Sequence, residues 1–279
     1  MAYVQPAEFA AKMIEAGESK ILMSTKDTLI RSYMAGAILA LAAAFAVTIA
    51  VNTGNFLVAS LLFPVGFCML YLLGFDLLTG VFTLAPLAVI AKRPGMTWKG
   101  VFRNWGLVFC GNFAGALTTA VFMAIIFTMG FSQEPNAVGQ RIGQIGEART
   151  LGYAAAGGAG LLTVFIRAVM CNWMVSTGVV AAMMSSSVSG KIMAMWMPII
   201  VFFYLGFEHS IVNMFLFPSG IMLGGQFTWA DYFIYNEIPV VLGNLVGGLT
   251  FVGGVIYATH FKTSPKRSVT GSVGTPAEL

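Results

Sequence analysis

Six apolar runs, near residues 30–51, 57–91, 100–130, 157–184, 192–223 and 236–261, fill most of this chain and decide the solvent it folds in. About 20 apolar residues cross a bilayer as a helix, so each run is long enough to span. The second and fifth are too long and too interrupted by glycine for one simple helix. Charged residues make up 9% of the chain, against roughly 25% in a soluble domain. Water therefore cannot be the solvent for most of its surface, and the expected class is an all-α polytopic membrane protein with six transmembrane spans.

Six spans place both termini on one side. If that side is the cytoplasm, the lysines and arginines from Lys12 to Arg267 fall inside, except Arg167 within a span and Arg141 and Arg149 in an outer loop. This is the positive-inside pattern. It accounts for the +4 net charge without a nucleic-acid partner, and it predicts a bacterial inner (cytoplasmic) membrane protein with cytoplasmic termini. Residues 1–28 hold Glu8, Glu15, Glu18 and Asp27 and lack the apolar core of a cleavable signal. Phe9, Met13, Ile14 and Ile21 share one face of an amphipathic helix expected to lie along the membrane surface. Residues 29–262 form the transport domain, and 263–279, rich in Ser, Gly, Thr and Pro, a disordered cytoplasmic tail. Cys68, Cys110 and Cys171 lie in apolar stretches without disulfide or metal-ligand spacing, so no metal or cofactor is expected.

The second and fifth runs repeat each other. Gly74-Phe75-Asp76 with Pro86 matches Gly206-Phe207-Glu208 with Pro218 at a constant offset. The same offset relates Asn104 to Asn236, Gly111-Asn112 to Gly243-Asn244, Gly115 to Gly247, and Leu117-Thr118 to Leu249-Thr250. A run of matches at one spacing indicates duplication, with repeats at about 29–130 and 157–262. An odd number of spans between the copies turns the second upside down. Inverted repeats with broken helices place a site near the membrane midplane. Glycine and an acid at mid-span, followed by proline, predict that the second and fifth helices break. Freed backbone at that depth must be buried in protein or line a cavity.

Ionisable residues inside a membrane are functional candidates because lipid tolerates them poorly. Asp76, Arg167, Glu208 and His209 lie at such depths. Asp76 and Glu208 are repeat partners and are expected to bond the freed amides of the breaks. His209 pairs with Leu77, so the duplication does not account for a histidine there. An imidazole titrates near neutrality and could hold an anion or hand it a proton; a core histidine bonded to backbone is the plainer alternative. His260, at a span end, is expected to be interfacial.

Gly206-Phe207-Glu208-His209-Ser210-Ile211-Val212-Asn213-Met214-Phe215, followed by Pro218, resembles the signature of the formate/nitrite transporter family. So do Cys171-Asn172-Trp173-Met174-Val175, Asp76-Leu77-Leu78-Thr79, and Ile238-Pro239 with Gly243-Asn244-Leu245-Val246-Gly247-Gly248. The resemblance implies an aquaporin-like fold and a homopentamer with one pore per protomer. It makes His209 the central histidine, Thr79 the threonine facing it and Asn172 the amide of the same chamber. It assigns the apolar constrictions to Phe63, Phe67, Leu77, Leu78, Val175 and Phe202. The chain departs from the pattern where members carry a vestibule lysine, reading Ala154-Ala155-Ala156-Gly157-Gly158, with Arg149 the nearest basic residue. Leu78 and Gly80 also replace familiar residues beside Thr79.

The expected function is a channel or transporter for small monovalent anions, nitrite or formate with a slight preference for nitrite, linked to protons through His209. The alternative is an aquaporin-like channel for neutral solutes, which would carry Asn-Pro-Ala at both breaks; Gly-Phe-Asp and Gly-Phe-Glu-His stand there instead. Two histidines far apart do not make a metalloprotease site, and Ser210 adjoins His209 too closely for a dyad on one helix face. No enzyme is expected.

Overall fold

The computed structural model describes residues 3–263, and every named element among them is a helix. The expected tail beyond Thr263 lies outside the described residues. Helix α1 (Pro6–Leu22) starts with proline at its first turn, where the missing N–H costs nothing. Helix α2 (Thr25–Thr53) is capped by Ser24, whose hydroxyl accepts from Asp27 N–H, and closes on Gly54 in the left-handed region. Helices α3 (Phe56–Leu62) and α4 (Pro64–Leu72) follow, then α5 (Leu78–Ile90) and the long α6 (Trp98–Phe127). The second half runs through α7 (Ala137–Ala155), α8 (Gly157–Met183), α9 (Val188–Tyr204) and α10 (Ser210–Met222). It ends in α11 (Trp229–Lys262), widened into π-helical turns at Phe233–Glu237, Leu249–Gly254 and Tyr257–Lys262.

Four of these helices, α2, α6, α8 and α11, are long and apolar enough to cross a membrane. Between them lie the shorter apolar pieces, broken at 73–77 and 205–209. Gly74 and Gly206 sit at φ 73° and 66° there, a turn that a Cβ would strain. The expected breaks in the second and fifth apolar runs are therefore present, and at matching positions.

The long helices meet backbone to backbone. A Cβ on Gly115 would lie 1.9 Å from the Tyr33 carbonyl oxygen, and one on Gly36 2.2 Å from that of Asn112, so α2 and α6 touch along their main chains. Gly247 does the same between α11 and α8, 2.2 Å from the Val169 oxygen.

Helix α1 differs from the surface helix expected for it. Phe9, Met13 and Ile14 are buried, and a Cβ on Gly17 would meet the Leu84 carbonyl oxygen of α5 at 2.1 Å. Its apolar face is covered by protein, because amphipathic spacing specifies an apolar neighbour without saying whether that neighbour is lipid or helix. Residues read as an outer loop fold as the 19-residue α7.

Candidate anion pathway

Each break is held by an asparagine from the following long helix. Asn112 Oδ1 accepts from Leu78 N–H at 2.9 Å, and its Nδ2 donates to the carbonyls of Asp76 (2.9 Å) and Ser32 (2.8 Å). Asn244 Oδ1 accepts from Ser210 N–H at 3.0 Å, and its Nδ2 donates to the carbonyls of Glu208 (3.0 Å) and Ala168 (2.8 Å). Both amides are fully buried. They satisfy backbone groups that the interrupted helices leave open, which would otherwise cost about 1–3 kcal/mol each.

The correspondence extends to the acids and to α1 and α7. Lys20 of α1 pairs with Asp76 at 2.5 Å, and Arg149 of α7 with Glu208 at 3.5 Å. Asn104 donates to the Lys20 carbonyl at 3.0 Å, and Asn236 to the Arg149 carbonyl at 3.1 Å. The two acids expected to bond freed amides contact them only through their own carbonyls, by way of Asn112 and Asn244. Their carboxylates bind cations instead.

Glu208 has further partners. Tyr153 O–H donates to Oε1 at 2.8 Å, and Asn213 and Asn236 donate to Oε2 at 2.9 and 3.4 Å. Arg167 donates to the Tyr153 hydroxyl at 2.9 Å, which gives that intramembrane cation a buried polar neighbour.

The two breaks face each other at one point. His209 is the N-cap residue of α10, and its Nε2 lies 3.4 Å from Thr79 Oγ1 in the first turn of α5. Both side chains are buried. Two helix N-termini, each carrying partial positive charge, thus converge on a histidine and a hydroxyl. His209 Nδ1 accepts from Val212 N–H at 3.4 Å. That contact uses the Nδ1 lone pair and leaves the ring proton on Nε2, toward Thr79.

Two cavities adjoin this region, one lined by Leu77 and Gly80, which flank Thr79, and the other by His209 itself. The first, about 260 Å³, is lined by Lys20, Phe67, Tyr71, Asp76, Leu77 and Val81 among others. The second, about 410 Å³, is lined by Arg141, Arg149, Phe202, Phe207, His209 and Val212 among others. Each therefore carries at least one cation. Phe202 lies against the His209 ring, with centroids 5.6 Å apart.

The expected site residues separate accordingly. Thr79 and His209 meet; Phe67 and Leu77 border the first cavity and Phe202 the second. Phe63, Leu78 and Val175 are buried and border neither cavity. Asn172 works as a strut: Nδ2 donates to the carbonyls of Thr79 (3.1 Å) and Asn244 (2.6 Å), and Oδ1 accepts from Ser176 (3.1 Å). Ser176 in turn lies 2.5 Å from Thr83.

Three groups beside the pathway escaped the sequence reading. In the sequence Lys20 signals only orientation, and Tyr153 falls between two apolar runs. Glu237 is buried, with Ser210 donating at 2.5 Å and Tyr232 at 2.8 Å. Its repeat partner is Trp105, so the duplication gave no signal for it.

Comparison with known proteins agrees with this architecture. A "Probable formate transporter" of Methanothermobacter thermautotrophicus is 34% identical, over 93% of this chain and 98% of its own length. A "Formate channel BtFdhC" of Bacillus thuringiensis is 30% identical, over 94% of this chain and 98% of its own. A solved structure described as "Pentameric formate channel with formate bound" superposes with a TM-score of 0.70, covering 84% of this chain and 96% of that one at 24% identity. At that identity the superposition shows the fold alone. Residues 7–258 match the family described as "Formate/nitrite transporter". The chain is a membrane transport protein, not an enzyme, and it belongs to the formate/nitrite transporter family.

Proposed function

We propose that this protein passes formate and nitrite across a bacterial inner membrane through the His209–Thr79 contact. The observation that carries the reading is the buried His209–Thr79 contact, with His209 on the wall of a cavity that also carries Arg141 and Arg149. Lys20 and Arg149 are each paired with an acid, but Arg141 on the second cavity has no acidic partner among the described residues, which favours an anion over a neutral solute. The relatives' names favour formate as the first substrate to test. Arg141 and Arg149 on the second cavity stand in for the vestibule lysine that the chain lacks.

In this reading α3–α4 with α5, and α9 with α10, each make one broken crossing, which with the four long helices gives six spans in an inverted, aquaporin-like repeat. Both termini are cytoplasmic, and the protomers assemble as a homopentamer with a pore in each, as the description of the solved relative invites. Arg141 and Arg149 draw the anion into the second cavity. The Nε2–H of His209 donates to it in place of Thr79 and compensates part of its lost hydration. Phe202, Phe67 and Leu77 exclude water from the narrow stretch between the cavities.

Proton linkage needs one further event. A proton can pass from His209 only if the ring first carries two, and the second must displace the Val212 N–H from Nδ1. An arriving anion favours that charged state. The test is uptake of formate and of nitrite by purified protein in liposomes, with and without an inward proton gradient. The gradient is expected to accelerate both ions, and a folded His209→Phe protein is expected to pass neither. Wild-type flux through His209→Phe removes the histidine from the mechanism.

A further inference from the structure

The two acid–cation pairs are built alike but completed differently. Glu208 is saturated: Tyr153 and Arg149 meet Oε1, and Asn213 and Asn236 meet Oε2. Asp76 Oδ1 is met by Lys20, yet Oδ2 is buried and has no hydrogen-bond partner among the described residues. The residue standing where Asn213 stands in the second half is Val81, which has nothing to donate. Asp76 is 3% exposed and lines the first cavity, as do Val81 and Lys20. Tyr71 is the other titratable group on that cavity, and its hydroxyl already donates to the Val179 carbonyl at 3.3 Å.

A buried carboxylate oxygen without a donor, on a side chain that lines a cavity, calls for one once that side chain turns toward the cavity. Formate and nitrite have none and would meet it as like charges. Their conjugate acids each have one O–H. We propose that the first cavity is a binding site for the neutral monobasic acid, whose O–H donates to Asp76 Oδ2 while its second oxygen accepts from Lys20 Nζ. This rests on the substrate class proposed above. The same contact allows release. The O–H bond of the acid breaks toward Asp76 Oδ2, its electron pair stays on the departing anion beside Lys20, and Asp76 returns the proton to water at the cavity mouth. The second cavity, which Arg141 and Arg149 line and Glu208 does not, receives the anion. The two cavities therefore bind different protonation states of one substrate.

The test uses the full chain in liposomes and ¹³C-formate at about pH 5, where a carboxylic acid near its ordinary range titrates. Infrared difference spectra are expected to show a ¹³C-shifted carbonyl band of bound, protonated acid beyond that of the bulk. Val81→Asn, which offers Oδ2 an internal donor, and Asp76→Asn, which removes the acceptor, should each abolish that band; Val81→Leu should keep it. Formate flux should fall about tenfold in Val81→Asn, the scale of one hydrogen bond to a charged group. A label seen only in carboxylate bands, or an acid band that persists in both Val81→Asn and Asp76→Asn, overturns the proposal. Failure of wild-type protein to pass any formate would instead overturn the transport reading, while the infrared bands still judge the site.

Discussion

The first break, at Asp76-Leu77-Leu78-Thr79, and the second, at Glu208-His209-Ser210-Ile211, share a scaffold and differ in the side chains they present. Asn112 and Asn244 make the same three bonds, and Asn104 and Asn236 each hold the carbonyl of the paired cation's residue. Against that constancy Leu77 faces the first cavity where His209 faces the second. Duplication kept the groups that bond backbone, because each serves an interrupted helix that neither half can close alone. It left the cavity-facing positions free to diverge, and the chemistry lies there.

The sharpest way to break this comparison is to erase the divergence. His209→Leu gives the second half the residue of the first, and liposome flux of formate is expected to fall at least about a hundredfold, a cost of roughly 2.7 kcal/mol. Retained flux would mean that the asymmetry of the halves is incidental. Next in size is the shared scaffold. Asn112→Ala and Asn244→Ala each strip three buried bonds, at about 3–5 kcal/mol of stability. Thermal unfolding in detergent should show similar losses for both; a large loss in one alone would make the halves mechanically unequal.

The cations sharpen the comparison further. Lys20→Met leaves Asp76 buried without any side-chain partner, whereas Arg149→Met leaves Glu208 with Tyr153, Asn213 and Asn236. Breaking a buried pair costs about 3–5 kcal/mol, so Lys20→Met should lower the unfolding temperature more than Arg149→Met. The reverse order would show that Glu208 depends on its cation and not on its neutral donors. The smallest effect is expected at Thr79→Ala, which removes a hydroxyl 3.4 Å from His209 but keeps the carbonyl that Asn172 holds. Flux should drop a few-fold, about 1 kcal/mol for one neutral hydrogen bond, or formate and nitrite should be less well discriminated.

The breaks were legible in the sequence because identical Gly-Phe-acid triplets at one spacing leave little choice. The asparagine pairs were legible as repeats but not as struts, since their partners are backbone carbonyls on other helices, which carry no residue-type signal. Tyr153, four residues from Arg149 and so on one face of α7 with it, was hidden because a segment of low hydropathy between spans reads as loop. Glu237 sits beside an asparagine whose repeat partner is also asparagine, while its own counterpart is Trp105. Phe63 and Val175 show the opposite limit: an apolar residue near a break reads equally well as pore wall and as packing, and only contacts separate the two.

The glycine contacts between α2 and α6, and between α8 and α11, bear on how traffic can be controlled. Where main chains lie against each other there is no layer of side chains to slide, so those helix pairs behave as fixed rails. Rocking within either rail would pull apart close-packed backbone and forfeit many contacts at once. The cheap movements are left to the short helices at the breaks and to single side chains such as Phe202 and His209. Such a machine would open and shut by small local steps, and its throughput would be set by how fast a ring turns or a proton moves, not by the slow swing of a domain.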